Sequence, residues 1–530
     1  MSRRYNERSR EKPREWDKRP SERIIDEARA PVPRVVPHGI ISSKISSLLT
    51  TRELATPANT YDPRDQKIIM PWETRDWALK RDKINTSINS FIDMDMRLAW
   101  AYGSDYRTKS FVEMMVVGTA AKTAGTAPHW PSDSDLLTRI FPLIQRLCVE
   151  GPSVFKGFDA RPLTRGRQGT ITLSRIQAAT IVALMWFNQF DYKFLTPGPI
   201  TCNDFPIASM IGIVDNKSLF PATCIFEYFT TIYDLWPLPA PRGISSDIDT
   251  RIRDTGVLIR EMRARKIIIM RNVLVEPMNW FECTEPICTV HYGDTLDVED
   301  SISTICAAYT SRFIGGDFFT EALSSDEIII AGRPELMVAR LFCMETADNE
   351  AICVLGAERY SAYLGTASNI VHKGRFDDKS PIGRMGNDAL LQHGVVFLDA
   401  GPKTRTMSQF VDYFDRDLDK AYAGFTSNFP DGSQIACTRW NYKWTILNNS
   451  LKFLQLLLAA SAAKRSLVYH ADSREFEDKA AYFLAWIKSA NLTVGQLAER
   501  YAIAIKGEVA ANTLTASIDV FELIIGGDTI

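Results

Sequence analysis

The pattern of apolar and β-branched residues changes beyond Lys266, and this change constrains the fold more than any other feature of the sequence. Short runs rich in β-branched and apolar residues recur in that half: Ile267–Met270, Cys288–His291, Ile352–Leu355, Val395–Leu398, Ile435–Cys437 and Leu467–His470. Segments with helix start signals lie between these runs. Strands that alternate with helices favour an α/β fold, in which helices cover the faces of a sheet.

Three of the helix start signals are specific. Pro334 suits the first turn of a helix that continues through Glu335–Phe342, because that position needs no backbone donor. Asn448–Ser450 supplies capping side chains for a helix over Leu451–Ala463. Thr493–Gln496 has the spacing of a capping box.

The preceding half is helical in pattern. Ser174–Gln177 has the spacing of a capping box and opens the apolar stretch Ala178–Phe190, which suits a buried helix. Ala222–Trp236 predicts a second helix, which ends where three prolines follow within five residues. We therefore predict a helical domain over residues 61–262 and an α/β domain over 263–530.

Residues 1–60 differ from both halves. They are rich in arginine and poor in aliphatic residues until Ile24, so they bury too little apolar surface to offset the entropy of ordering, and we predict a disordered basic arm. Arg3, Arg4, Arg8 and Arg10 favour two further interpretations of the arm, an RNA- or partner-binding segment and a targeting signal. The plain alternative is a solvated tail.

Composition excludes several classes of protein. The 530 residues carry 62 Lys and Arg against 64 Asp and Glu, so no global field attracts nucleic acid or anionic membrane. No apolar run approaches the length of a membrane span, and the hydrophilic N-terminus is unlike a secretory signal. The nine cysteines form no CxxC pair, which predicts reduced thiols, an intracellular location, and neither metal nor cofactor.

Two neighbouring segments have the residue types of a ligand site. Ser311–Asp317 contains the adjacent glycines Gly315 and Gly316, which let a backbone approach an anion closely. Ser325, Asp326 and Glu327 follow eight residues later and offer carboxyl groups for acid catalysis. Alone, a Gly-Gly turn and an acidic pair are weak evidence of a site.

The flanking sequence resembles the poly(ADP-ribose) glycohydrolase family. The resemblance runs from about residue 130 to residue 505 and rests on four blocks near the two segments: Phe313–Gly316, Glu327–Ile328, Arg333–Phe342 and Gly356–Gly365. Asp419–Phe425, Leu451–Tyr469 and Leu492–Gly495 also fit the family, as does Thr172–Ala183 in the helical half. The resemblance implies a macrodomain-like three-layer α/β/α core with an N-terminal helical accessory domain.

The resemblance also implies a site for the terminal ADP-ribose of a poly(ADP-ribose) chain. Glu327 matches the glutamate that protonates the leaving ribose oxygen, and Asp326 is the neighbouring acid. Gly315, Gly316 and Ser325 match further ligand positions. The pair that holds adenine is matched by Leu296 and Asp297, across a small alignment gap.

Several positions depart from the family pattern in ways that disfavour ligand binding. The third loop glycine is Asp317, whose carboxylate repels a pyrophosphate. Ser311 replaces an asparagine, Ser325 replaces a glutamine, and Thr366 replaces the aromatic residue that covers the diphosphate. In the second ligand loop, 438–448, all five family glycines are absent, and Arg439 and Thr445 replace an asparagine and an aromatic lid.

Three functions are consistent with these residues. The first is a pseudoenzyme that keeps the fold and serves in binding or scaffolding, with Glu327 a surface acid retained by descent and the glycines kept for the turn. The second is an active glycohydrolase, in which Arg439 and Lys443 replace the lost glycine amides as phosphate partners. The third is an RNA- or partner-binding protein that uses the basic arm together with Trp440, Tyr442 and Trp444.

Overall fold

The protein is described here by a computed structural model. The described residues are 68–103, 110–190, 219–235, 260–292, 304–315, 323–365, 370–385, 388–399, 413–429, 432–437, 448–471, 473–511 and 518–526. The predicted basic arm over 1–60 lies outside them.

Thirteen helices are labelled in the described residues. They are α1 (Trp77–Ile84), α2 (Phe91–Tyr102), α3 (Ser110–Thr123), α4 (Phe141–Val154), α5 (Arg175–Trp186), α6 (Leu219–Leu235), α7 (Ser325–Gly332), α8 (Val338–Phe342), α9 (Phe414–Phe425), α10 (Asn449–Ala462), α11 (Arg474–Ser489), α12 (Val494–Ala511) and α13 (Val520–Gly526). Short helical turns cover Pro71–Glu73, Asp133–Asp135, Leu136–Ile140, Trp280–Glu282 and Pro334–Met337. No helix among the described residues is long and apolar enough to cross a membrane.

The predicted helix caps are confirmed. Ser174 and Gln177 form a reciprocal capping box at the start of α5, in which Ser174 N–H donates to the Gln177 side chain at 2.8 Å. The Asn448 side chain accepts from the backbone N–H of Leu451 at 3.0 Å and starts α10. Thr493 N–H donates to the Gln496 side chain at 2.9 Å before α12. Each contact satisfies a backbone donor that the first helical turn leaves unpaired.

Twelve strands occur in the described residues, and ten of them form one sheet. They are β1 (Gly169–Ser174), β2 (Arg265–Val273), β3 (Val290–Tyr292), β4 (Thr304–Thr310), β5 (Glu350–Leu355), β6 (Ser361–Leu364), β7 (Val371–Arg375), β8 (Ile382–Met385), β9 (Asp388–Leu391), β10 (Gly394–Asp399), β11 (Gln434–Cys437) and β12 (Leu467–Tyr469). The sheet order is β3-β12-β11-β4-β10-β5-β2-β9-β8, with β1 also paired to β2. Strands β6 and β7 form a separate antiparallel pair.

Helices cover both faces of the sheet, which confirms the predicted three-layer α/β/α core. Alternate residues of β10 point to opposite sides: Val395 and Phe397 pack in one apolar cluster and Val396 and Leu398 in the other. The first cluster also contains the helices before residue 236, and the second contains α9 to α13. The central strands are buried on both faces because each face carries a layer of helices.

Strand β1 lies within the half of the chain that the sequence pattern indicated as helical. Its six residues pair antiparallel with β2 over the register from Gly169↔Arg271 to Ser174↔Lys266. A second backbone link joins Leu163 to the end of α8, where Leu163 N–H donates to the carbonyl oxygen of Phe342 at 2.6 Å. The helical half therefore contributes main-chain hydrogen bonds to the α/β half and does not merely pack beside it.

A buried ion pair joins these elements. Arg271 at the end of β2 and Glu350 at the start of β5 are both 0% exposed, and their side chains form a hydrogen-bonded ion pair. Glu350 also accepts from the backbone N–H of Gly166 at 3.0 Å, and Arg271 donates to the carbonyl oxygen of Glu345 at 3.2 Å. The pair thus holds two strands and two connecting segments together.

We expect Arg271→Met to lower the free energy of unfolding by about 3–5 kcal/mol, because it leaves the Glu350 charge buried without its partner. Chemical denaturation of the purified protein measures this change. The control is Arg161→Met, which breaks an exposed 2.6 Å pair with Asp159 and is expected to change stability by about 0–1 kcal/mol. Equal effects of the two substitutions would contradict the role given to Arg271.

Candidate functional site

Strand β4 ends in a turn that holds Gly315 in the left-handed conformation. The φ of Gly315 is +77°, which a glycine adopts without the steric cost of a Cβ. The hydroxyl of Thr310 fixes this turn, since it donates to the carbonyl oxygen of Phe313 at 3.1 Å and accepts from Gly315 N–H at 3.1 Å. Gly315 therefore has a structural task in the turn, as one of the sequence interpretations proposed.

Ser311 takes part in the same turn. Its hydroxyl donates to the carbonyl oxygen of Phe313 at 2.7 Å and accepts from the backbone N–H of Phe313 at 3.2 Å. The resemblance places an asparagine at this position. A serine lacks the amide group, and here its hydroxyl bonds within the chain.

Contacts from two other elements anchor the turn. The guanidinium of Arg340 in α8 donates to the carbonyl oxygen of Ile314 at 2.8 Å, and Thr346 N–H donates to the carbonyl oxygen of Arg312 at 2.9 Å. The Arg312 side chain lies 3.5 Å from a carboxylate oxygen of Asp348. The turn is therefore held in place by the protein itself, as a preorganised binding loop requires.

Glu327 lies in the first turn of α7 and is almost completely buried. Its side chain is 2% exposed, and one carboxylate oxygen accepts from the backbone N–H of Ser324 at 2.7 Å. This is the contact that the third helical residue makes in a capping box. The hypothesis of a surface acid is therefore wrong, because capping the helix draws the carboxylate inward and covers it.

Asp326 is buried beside Glu327. It is 1% exposed, and its carboxylate accepts a hydrogen bond from the hydroxyl of Ser324. Burial raises the pKa of Asp326, while the hydroxyls of Ser324 and Thr310 lower it. Because Thr310 ends β4, the hydrogen bond between its hydroxyl and Asp326 places the first turn of α7 against the end of the strand. The structure thus brings Gly315, Asp326 and Glu327 to one edge of the sheet.

The other predicted site positions divide into two groups. Ser325 is the first residue of α7 and precedes the two buried acids. The remaining positions lie outside the described residues: Leu296, Asp297, Gly316, Asp317, Thr366, Arg439 and Thr445. Trp440, Tyr442, Lys443 and Trp444, which were assigned to phosphate or RNA contacts, also lie outside them. Their assignments stay predictions.

A buried cluster of charges lies at the same edge of the sheet. Asp399 ends β10 directly opposite Thr310 and pairs with Arg416 and with Lys420, the latter at 3.3 Å. Asp417 pairs with Arg416 at 2.7 Å and with Lys452 at 3.0 Å. All five cluster residues are at most 7% exposed. Four of them, Asp399, Asp417, Lys420 and Lys452, line a cavity of about 10 Å³, the size of a single water.

The sequence did not predict this cluster. A run of charges in an amphipathic helix, such as 415–420, ordinarily faces solvent. Here residues that are distant in the chain, among them Asp348, Asp399 and Lys452, give these charges partners. Burial lowers the pKa of Lys420 to about 8, although Asp399 raises it. In the described part of the chain, no group of three or more His, Cys, Asp or Glu side chains is arranged to hold a metal ion.

A second buried network joins α5 to the segment that follows α7. Glu335 is 1% exposed and accepts from the Tyr360 hydroxyl at 2.6 Å and from Glu358 N–H at 3.1 Å. Arg175, the first residue of α5, lies 3.5 Å from the same carboxylate. Burial raises the pKa of Glu335 to about 7, although the charge of Arg175 lowers it.

Comparison with known proteins agrees with this geometry. A family model described as poly(ADP-ribose) glycohydrolase, Macro domain fold, matches residues 277–479, a range that contains the turn after β4, the acids of α7 and the charge cluster. Poly(ADP-ribose) glycohydrolase 1 of Caenorhabditis elegans is 22% identical over 340 residues, which are 62% of this chain and 39% of that protein. Residues 277–479 are therefore similar to the Macro domain fold of the poly(ADP-ribose) glycohydrolase family, and the chain is a divergent relative of these proteins.

Two further relatives give the same result. Poly(ADP-ribose) glycohydrolase 2 of Caenorhabditis elegans is 24% identical over 341 residues, 62% of this chain and 63% of that protein. Poly(ADP-ribose) glycohydrolase 1 of Arabidopsis thaliana is 32% identical over 119 residues, 22% of this chain and 21% of that protein. The matched part therefore spans less than two thirds of each of these relatives.

We expect Glu327→Ala to lower the free energy of unfolding by about 0.5–2 kcal/mol, because it removes the acceptor for a buried backbone donor. Glu327→Gln keeps an oxygen acceptor and is expected to cost less. The control is Glu475→Ala, which removes an exposed acid from the first turn of α11 and is expected to change stability by less than about 0.5 kcal/mol. Unchanged stability in Glu327→Ala, measured by denaturant titration, would contradict the capping role.

The pKa of Glu335 predicts a pH dependence of stability. Its folded-state value of about 7 lies above the ordinary value of 4.5, so folding favours the protonated form between these values. This contribution is fully present below the ordinary pKa and is lost as the pH rises through the folded-state pKa. We expect the free energy of unfolding to fall over that window, and Glu335→Gln to flatten the fall.

Denaturation at a series of pH values measures this effect. Glu276→Gln is the matched control, since Glu276 is exposed and its substitution is expected to leave the pH profile unchanged. A profile of Glu335→Gln that parallels the wild-type profile would show that Glu335 is not the titrating group.

Proposed function

We propose that this protein is a poly(ADP-ribose) glycohydrolase-fold protein with a degenerate ligand pocket, which acts as a pseudoenzyme in binding or scaffolding. The observation that carries this proposal is the state of Glu327. A general acid has to reach the oxygen that it protonates. The Glu327 carboxylate is 2% exposed and accepts from the Ser324 N–H that starts its own helix, a role that preserves this glutamate without catalysis.

The substitutions around Glu327 support the same conclusion. Removal of one positioning or oxyanion-stabilising contact from an enzyme costs roughly 10²- to 10³-fold in rate. Here Asp317 and Thr366 replace a glycine and an aromatic residue, Ser311 bonds within its own turn, and the second loop has lost its glycines. We expect the combined losses to lower the rate of hydrolysis far below that of an efficient enzyme.

An active enzyme is the second candidate, and the buried acid pair favours it. Environments that separate the pKa values of two neighbouring carboxyl groups are typical of acid catalysis. Asp326 has a raised pKa through burial and lies directly before Glu327. In this candidate Glu327 protonates the leaving ribose oxygen, and Arg439 and Lys443 contact the phosphates.

Calorimetric titration of ADP-ribose into the full chain tests the proposed pocket. We expect no binding by the wild type, because Asp317 places a carboxylate and a Cβ where the family has a glycine. If Asp317 is the decisive obstacle, Asp317→Gly restores binding, whereas the control Asp377→Gly at an exposed position does not. Absence of binding in all variants is expected if the second loop also fills the pocket.

An assay of ADP-ribose release from poly(ADP-ribose) separates the two candidates. We expect no release by the wild type. Release that Glu327→Gln abolishes, in a variant that denaturation shows to be folded, would overturn the pseudoenzyme proposal and establish the active enzyme.

The remaining predictions concern location and partners. The composition favours an intracellular location, and the arginine-rich arm favours RNA or an acidic protein partner. RNA binding through the arm requires an affinity that falls steeply as the salt concentration rises. A chain without residues 1–60 that binds RNA as well as the full chain would exclude this role for the arm.

A further inference from the structure

Two histidines lie side by side where the strand pair β6–β7 packs on the helical half of the chain. His372 belongs to β7, and His129 lies in the segment between α3 and the turn Asp133–Asp135. Their ring centres are 5.6 Å apart. The His372 side chain is 7% exposed, whereas His129 is exposed. The candidate site described above uses neither histidine.

Neighbouring residues hold both histidines in place. Trp130, which follows His129, is 1% exposed and packs on α6. The His129 ring lies directly on the backbone of β7, since a Cβ at Gly374 would be 3.0 Å from it. The Phe220 ring of α6 lies 6.4 Å from the His372 ring, measured between centres. The histidine pair, His129 and His372, therefore joins β7 to two elements of the helical half.

The hydrogen bonds of His372 fix the position of its proton. Gly374 N–H donates to Nδ1 of His372 at 3.1 Å, so the neutral ring carries its proton on Nε2. Nε2 is buried and has no hydrogen-bond partner among the described residues. A second proton has to bind at Nδ1, where it faces the N–H of Gly374. In the described part of the chain, a positively charged His372 therefore has no acceptor at either nitrogen.

The charged groups around the histidine pair do not supply the missing acceptor. The titratable side chains on the surrounding elements are those of Arg139, Glu227, Asp234, Tyr363, Lys373 and Arg375. Asp234 already pairs with Arg139 at 2.8 Å and with Arg375 at 3.2 Å. Burial raises the pKa of Glu227, which disfavours its charged form. Neither histidine forms an ion pair with an acid among the described residues.

We propose that the histidine pair is a pH-sensitive contact, which holds β6–β7 on the helical half while His372 is neutral and releases this strand pair when His372 is protonated. Protonation removes the acceptor of Gly374 N–H and places a charge in a buried site, and both changes favour an open arrangement in which water solvates the ring. The proposal does not depend on the function proposed above.

The pKa of His372 gives the direction and the range of the effect. Burial and, second, the charge of His129 lower this pKa from the ordinary value of 6.5 to about 4. The closed arrangement therefore favours the neutral ring. Its contribution is fully present above the ordinary pKa and is lost as the pH falls toward the folded-state pKa.

Hydrogen exchange of the backbone amides of β7, measured on the full-length protein at pH 7 and pH 5, tests the proposal. The pKa values of 6.5 and about 4 predict that opening becomes roughly twentyfold more favourable at pH 5. After correction for intrinsic exchange rates, we expect the β7 amides to lose protection by that factor. The amides of β10, in the centre of the sheet, are expected to lose much less.

Three variants identify the titrating group. His372→Gln is expected to abolish the pH-dependent loss in β7, and protected β10 amides at pH 7 show that this variant is folded. His129→Gln is expected to reduce the loss, because it removes the charge that lowers the pKa of His372. This exposed substitution keeps the proposal testable if His372→Gln does not fold. The matched control is His291→Gln at an exposed position of β3, which is expected to keep the full loss.

Three results would overturn the proposal. The first is equal protection of the wild-type β7 amides at the two pH values. The second is a pH-dependent loss that persists in folded His372→Gln or is undiminished in His129→Gln. The third is an equal loss in β10, because the acid effect is then global unfolding and not release of β6–β7.

Discussion

The buried ion pair between Arg271 and Glu350 is the interaction on which the rest of the structure depends. Neither charge contacts solvent, so each requires the other and the backbone groups that complete their hydrogen bonds. These partners come from β2, β5, the loop at Gly166 and the segment around Glu345. Arg271, Glu350 and Glu345 all lie in the α/β half, and the Gly166 N–H of the helical half completes their hydrogen bonds. Separation of the two halves would remove that contact and expose the edge of β2 that pairs with β1.

At the candidate site, too, each buried charge is paired with a buried charge of opposite sign. Asp399, Arg416, Asp417 and Lys452 form a continuous set of ion pairs at the edge of the sheet where β4 ends, and Arg312 in the turn after β4 approaches this set. This contact anchors the turn to a buried charge.

The sequence predicted the site only in part. Gly315 and Glu327 were singled out by their residue types, the family resemblance gave them ligand and catalytic roles, and the structure brings them to one edge of the sheet. Each residue also has a structural role: Gly315 adopts the left-handed conformation of the turn, and Glu327 caps the start of α7. The burial of Glu327 was not predictable, because the pattern around it also fits an exposed first turn. The partners of Arg416 and Glu335 were not predictable either, since they lie on strands and helices distant in the chain.

The sequence by itself determined the class of fold, the helix caps and six of the twelve described strands, because these depend on local patterns: apolar runs of strand length, and capping side chains at fixed spacing. It also indicated the resemblance to the poly(ADP-ribose) glycohydrolase family, through blocks of residues with regular spacing, and the match over residues 277–479 agrees with it. Only the tertiary structure decided that β1 joins the sheet, that Glu327 is buried, and that the charges of α9 are paired inside the protein. Each of these depends on which distant segments come into contact, and burial of a charge is decided by those contacts and not by its neighbours in the chain.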